Sequence, residues 1–141
     1  MIIQYKYFIG IDTGTNTGFA VWSRPDKKLL EVSTLLIHEA MEKVLHYHKM
    51  YGEDLFVRVE DARLRTWFGD KSPASLQGAG SIKRDCSIWD DFLKDKGIHF
   101  ASIAPKRGLT KLQPDKFKLF TGWEGKTSNH ARDAAMLVFG S

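Results

Sequence analysis

Three places in the chain carry residues able to do chemistry together. Asp12 closes the run Ile9-Gly10-Ile11-Asp12 and is followed by Thr13-Gly14; Glu60, with Asp61 beside it, closes Leu55-Phe56-Val57-Arg58-Val59-Glu60; and His130 and Asp133 stand three apart in His130-Ala131-Arg132-Asp133-Ala134-Ala135. Carboxylates are hard oxygen donors of the kind Mg²⁺ and Mn²⁺ take. Two such ions about 3.5 to 4 Å apart can activate a water and stabilise a leaving oxygen, which is what phosphodiester hydrolysis requires. The expectation is one metal-binding and catalytic site of Asp12, Glu60, His130 and Asp133 holding two ions. Asp12, Glu60 and Asp133 would be ligands, and His130 a ligand or a water-orienting group.

Each residue alone has an ordinary reading. Asp12 suits an Asx turn onto Gly14, Glu60 and Asp61 a solvated acidic pair at a strand end, and His130 a polar residue in a first helical turn. Asp61 has two readings, a group that supports the ligands from behind and a merely solvated acid, and the solvated one is preferred. Asp133 is harder to place blandly, because a carboxylate among Ala131, Ala134, Ala135 and Met136 is costly to bury without a partner charge.

The elements that must position these residues follow from periodicity. Tyr7 to Asp12 is an apolar run suited to a buried strand, Thr13-Gly14-Thr15-Asn16 is turn chemistry, and Thr17 to Ser23 returns as a second strand. Arg24-Pro25-Asp26-Lys27 turns into a third strand, Lys28 to Leu36, giving an antiparallel meander. From Ile37 the period becomes helical, with Ile37, Met41, Val44 and Leu45 on one face and Gly52 past the end. Asp54 to Glu60 is then a strand parallel to the first, because the helix supplies a crossover; this would bring Glu60 beside Asp12. Ser72-Pro73 opens a second helix with an apolar stripe of Ile82, Cys86, Trp89 and Leu93, ended by Gly97. Gly78 and Gly80 within it point to close approach of another backbone or of a ligand. Ile98 to Ala104 is a further strand, Pro114 to Thr121 a short helix ended by Gly122, and Ser128 caps a last helix from Asn129 to Phe139. Residues 61 to 71 show no period. The pattern alone gives one mixed α/β domain over residues 1–141.

Composition narrows the partners. A chain of 141 residues supports one core and not two ordinary domains. Its net charge of +4 permits a polyanionic partner without requiring one. Cys86 is the single cysteine, so no internal disulfide forms, and its ordinary role is that of a small buried group. No run approaches the roughly 18 apolar residues of a membrane span, and no signal peptide is visible; a cytoplasmic protein with no membrane partner is expected. Arg63, Arg65, Trp67, Phe68 and Lys71 interleave cations with aromatics after Glu60, which suits phosphate contact with base stacking, or local packing or a homodimer contact. Lys83 and Arg84 on the second helix, and Lys106, Arg107 and Lys111 further on, extend a nucleic-acid-binding candidate set; a solvated basic surface would look the same.

Taken together, these stretches resemble the RuvC family of Holliday-junction resolvases in the ribonuclease H-like superfamily, over nearly the whole chain. Ile9-Gly10-Ile11-Asp12 with Thr13, Gly14 and Gly18 is similar to the strand carrying the family's first catalytic Asp, and Glu60 to its catalytic Glu before the long helix. Gln77-Gly78-Ala79-Gly80-Ser81 is similar to the Gly-rich run entering that helix, and His130, Asp133 and Ala134 to the terminal pair. The resemblance implies a ribonuclease H-like α/β fold, its mixed sheet made of the meander plus parallel strands and flanked by helices. It also implies a Mg²⁺- or Mn²⁺-dependent endonuclease with two ions per site, cutting branched DNA at four-way junctions as a homodimer. The chain is shorter than typical cellular resolvases, residues 61 to 72 depart from the family's loop, and Asp61 is an added acid.

Two other enzyme classes share this outline. Asp12-Thr13-Gly14-Thr15 also fits the phosphate turn of sugar kinases and actin-like ATPases, but those need two such domains, so no nucleotide cofactor is expected. A ribosomal-RNA-processing nuclease of the same fold would carry the same strand-end and terminal acids. A branched-DNA-binding module with no activity is the non-enzymatic alternative, although four metal-binding groups facing a polyanion would repel it.

Overall fold

A computed structural model describes residues 4–64, 73–105 and 112–141. The order is β1 (Tyr7–Asp12), β2 (Asn16–Ser23), β3 (Lys28–Leu36), α1 (Ile37–Tyr51), β4 (Leu55–Glu60), α2 (Pro73–Asp95), β5 (Phe100–Ile103), α3 (Pro114–Thr121) and α4 (Asn129–Met136). The strands form one mixed sheet in the order β3-β2-β1-β4-β5. The meander β1-β2-β3 is antiparallel, and β4 and β5 add in parallel on the other side of β1.

Strand alternation divides the core in two. Ile9, Ile11, Phe19, Val21, Val57 and Val59 pack against Ala40 and Val44 of α1 and Trp89 and Leu93 of α2. Phe8, Ala20 and Trp22 point the other way, against Phe117 of α3, Ala131, Ala134 and Ala135 of α4, and Val138 just past its end. The central strand β1 is therefore covered on both sides, which explains why its sequence reads as an unbroken apolar run. Asp12, two positions on from Gly10 and four from Phe8, falls on the α4 side. Glu60 follows Phe56 and Arg58 on that same side.

Register then sets up the site. A single row crosses the sheet through Thr34, Gly18, Asp12, Glu60 and Ile103, each the Cα partner of the next. The parallel neighbour expected for Asp12 is thus Glu60 itself.

Helix ends follow the glycines: Gly52 (φ 57°), Gly97 (φ 66°) and Gly122 (φ 77°) terminate α1, α2 and α3 in left-handed backbone. Four expectations need correction. β5 is shorter than Ile98 to Ala104, because the Ile98 amide is spent on Leu93 O (3.0 Å) in closing α2. α4 stops at Met136, because the Leu137 and Val138 amides bond three residues back, to Ala134 O and Ala135 O. In α1 the buried residues are Ala40 and Val44, while Leu45 is exposed, and in the α2 stripe Ile82 is exposed. Finally, a Cβ at Gly80 would meet nothing within 4 Å, so of its two readings, a close backbone or a ligand, the first is not met among the described residues. No helix among the described residues is long and apolar enough to cross a membrane.

Candidate functional site

Glycines where α4 crosses the sheet decide how closely the helix approaches. A Cβ on Gly18 would lie 2.0 Å from His130 O, and one on Gly10 2.1 Å from Ala134 O. Only glycine at both positions lets the helix backbone rest directly on β1 and β2. Ala131, Ala134 and Ala135 on the facing stripe are buried and small enough for the same contact. Ser128 caps the helix, its Oγ accepting from the Ala131 amide (3.0 Å), and meets the Thr34 hydroxyl at the end of the cross-sheet row. Arg132, only 4% exposed, fixes the entry to α4. Its guanidinium donates to Leu112 O (2.9 Å), to Thr127 O and Oγ1 (2.8 Å each) and to Asn129 Oδ1.

His130 and Asp133 run along one flank of α4 at helical spacing, and the C-cap residue Leu137 continues it. His130 Nδ1 lies 3.0 Å from Asp12 Oδ2 at one end of that flank, and Leu137 O accepts from Arg58 Nη1 (3.1 Å) of β4 at the other. Asp133 occupies the position between them. The structure thus brings Asp12 and Glu60 together as register partners and His130 to Asp12, and sets Asp133 one turn along the same flank. An ionised Asp12 can only accept, so Nδ1 is the donor in this contact, and in a neutral imidazole the lone pair is then on Nε2. Asp12 is mostly covered, with 14% of its side chain exposed, whereas His130 is 48% exposed. The imidazole is on the solvent side of the pair.

Beneath the carboxylates, Thr13 Oγ1 donates to Glu60 O (3.4 Å) and lies 3.5 Å from Cys86 Sγ, which is 3.9 Å from the same carbonyl. Cys86 is buried, as expected, and burial pushes its thiol above the ordinary range. It is packing under the site and not an exposed nucleophile.

Asp61 corrects the sequence expectation of a solvated acid. It is 2% exposed, and its carboxylate accepts from the Arg63 amide (2.9 Å), Nε (2.9 Å) and Nη2 (2.6 Å). The Arg63 side chain hydrogen bond holds the Asp61 carboxyl below its ordinary range. Arg63 Nη2 also pairs with Asp90 of α2. The guanidinium expected to contact phosphate is therefore engaged by two carboxylates, with its side chain still 32% exposed. Asp90 went unremarked in the sequence; its partner lies 27 residues away, beyond any local spacing signal.

Of the other candidate nucleic-acid contacts, Lys83 and Arg84 are exposed on α2, with Arg84 Nε 3.8 Å from Asp85 Oδ1. Arg65, Trp67, Phe68, Lys71, Lys106, Arg107 and Lys111 lie outside the described residues. Among the described residues, no three of His, Cys, Asp and Glu stand together as a ready metal cage. The donor set nonetheless suits a hard divalent cation by type, and Asp12 and Glu60 suit it by position.

A meander extended by two parallel strands, with the acids on its central pair and a helix crossing that pair, is the ribonuclease H-like α/β fold. Among solved structures, the chain is similar to T. thermophilus RuvC in complex with a Holliday junction substrate. The two share a TM-score of 0.57 and 17% identity, over 91% of this chain and 87% of that one. No protein-family model and no curated protein matches the sequence. At this identity the likeness establishes the fold.

Proposed function

We propose that the protein is a metal-dependent, structure-selective DNA endonuclease that cuts four-way junctions, acting as a homodimer so that two symmetry-related strands are cleaved. The observation that carries this is the pairing of Asp12 with Glu60 at the ends of adjacent parallel strands, with His130 held 3.0 Å from Asp12. The fold shared with a junction-bound RuvC supports the substrate class. Asp12, Glu60 and Asp133 would hold Mg²⁺ or Mn²⁺, which when bound stabilises charge on the phosphate and lowers the pKa of an attacking water. The chain's own contribution is positional. The cross-sheet row fixes two carboxylates side by side, and α4 carries a third. Asp12 orients the His130 ring so that Nε2 can accept a proton or a hydrogen bond from water.

The test is cleavage of synthetic four-way junctions, flaps, linear duplex and structured RNA with each ion, by the native chain and by Asp12→Asn. The native protein should cut junctions, and the variant should bind them but cut about 10³-fold more slowly, equivalent to about 4 kcal/mol of lost transition-state stabilisation. Cleavage confined to structured RNA would instead assign an RNA-processing nuclease. Junction binding with no cleavage under either ion would leave a binding module and end the enzymatic reading.

A further inference from the structure

We propose that Asp61, Arg63 and Asp90 form a positioning latch for Glu60, an inference that rests on reading Glu60 as a site residue. Glu60 is the last residue of β4, so its aim depends on what holds the chain immediately after it. The Asp61 amide donates to Ile103 O of β5 (2.8 Å), and the Leu64 amide closes a tight turn onto Asp61 O (3.0 Å). Across that turn the Asp61 carboxylate takes the Arg63 backbone N–H and both Nε and Nη2, a forked pairing that fixes direction as well as distance. Nη2 carries the connection on to Asp90 in α2. Sheet, turn and helix are thereby joined one residue beyond Glu60.

The same Glu60–Asp61 peptide is held from its carbonyl end as well. Glu60 O accepts from the hydroxyl of Thr13, the residue after Asp12. The main chain of Glu60 is thus tied both to its neighbour in the site and to the latch. A partly exposed ion pair contributes little net stability, but its forked geometry fixes direction, and displacement of a reacting group by about 1 Å can cost about 10²-fold in rate. Asp90 gives the latch its second anchor. Its Oδ1 is buried with no hydrogen-bond partner among the described residues, while its Oδ2 is on Arg63. Two carboxylates around one guanidinium also mean that a phosphate at Arg63 would have to compete with both. The latch, and not DNA backbone contact, is the work this arginine is placed to do.

The test compares the full chain with Asp61→Asn, Arg63→Ala, their double variant, and Arg63→Ala/Asp90→Asn. Single-turnover cleavage, junction affinity, Mn²⁺ affinity by calorimetry and amide exchange at Asp61 and Leu64 are measured well below each unfolding midpoint. Asp61→Asn and Arg63→Ala should each slow cleavage about 10- to 100-fold and weaken Mn²⁺ binding about tenfold, with junction affinity within about threefold. Their double variant should be no slower than the worse single variant. Arg63→Ala/Asp90→Asn should recover the midpoint lost to the unpaired Asp90 without recovering the rate. A lowered midpoint with unchanged rate and Mn²⁺ affinity would overturn the proposal in favour of a purely structural ion pair. Weaker junction binding with a salt slope reduced by about one in Arg63→Ala alone would overturn it in favour of a phosphate contact. If the native chain cuts nothing, the endonuclease reading fails separately. The latch is then judged by amide exchange: acceleration at Asp61 and Leu64 in both single variants supports it, and unchanged exchange sinks it.

Discussion

The two walls of the candidate site are held by different physics. On the α4 side the contact is steric: helix backbone rests on Gly10 and Gly18, with three alanines filling the interface. On the β4 side it is electrostatic: Asp61 and Asp90 share Arg63 just past Glu60. A steric wall has one depth of approach and fails as a unit, because a helix backbone cannot yield at a single atom. A charged wall can lose its direction through one changed atom while the fold persists. The first wall should therefore break as stability and the second as geometry.

The strongest way to break that comparison is to add one carbon to the steric wall. Gly18→Ala drives a Cβ to 2.0 Å from His130 O, and Gly10→Ala to 2.1 Å from Ala134 O. Neither obstacle is a flexible side chain, so each substitution should cost about 3 kcal/mol or more, the upper range for overpacking. Cleavage should fall with it as α4 is displaced from Asp12. Because both glycines bear on one rigid helix, the double variant should cost less than the sum. Urea denaturation gives the numbers, and a native-like midpoint for Gly18→Ala would remove the steric half of the comparison.

A smaller effect is expected from the clamp that aims α4 without touching the acids. Arg132→Met leaves Leu112 O and Thr127 O without the guanidinium that now serves them. The expected loss is about 1 to 2 kcal/mol, the range for partly buried acceptors left unpaired. Cleavage measured below the midpoint should fall less than in Gly18→Ala, since the glycine contacts survive. Equal losses of rate would show that the entry to α4, and not its depth, sets the position of His130.

How much of this was legible in the sequence depends on whether the signal was local. The meander, the parallel β4 and the Asp12–Glu60 adjacency follow from alternation, turn residues and a helical crossover, all of which are read within a few positions. The Ser128 cap and the glycine stops of α1, α2 and α3 follow for the same reason. The steric wall was only half visible: Gly10 and Gly18 stand in the motif, but nothing local says that α4, more than 100 residues on, is what they admit. The flagged Gly80 shows the converse, a glycine with no close neighbour among the described residues. Asp61 was misjudged because exposure of an acid at a strand end is the local default, and its partners are set by the turn and by α2. Asp133 keeps the helix spacing that singled it out, but spacing alone does not close a metal cage around it.

The smallest expected effect sharpens the comparison from the opposite face of the sheet. Tyr47 of α1 donates to Glu31 Oε1 of β3 (2.8 Å), and Glu31 also accepts from Lys43 (2.6 Å) and Ser33 (2.8 Å). Burial first, then the hydrogen bond to Glu31 and its charge, raise the Tyr47 pKa in the folded protein. Below the ordinary tyrosine value of about 10, the phenol is protonated in both folded and unfolded chains, and its contribution to stability is fully present. Above that value the unfolded chain releases the proton first, so it binds fewer protons than the folded one and stability falls as pH rises. Tyr47→Phe should cost about 1 kcal/mol at neutral pH, one hydrogen bond, and should flatten the alkaline decline. Tyr51, also raised by burial and by Tyr7 beside it, should keep part of that slope. Urea midpoints between about pH 8 and pH 11 measure this directly, with cleavage at neutral pH unchanged because Tyr47 belongs to neither wall. A loss of cleavage in Tyr47→Phe would mean that β3 and α1 transmit position through the sheet to Asp12, and the two walls could no longer be treated as independent.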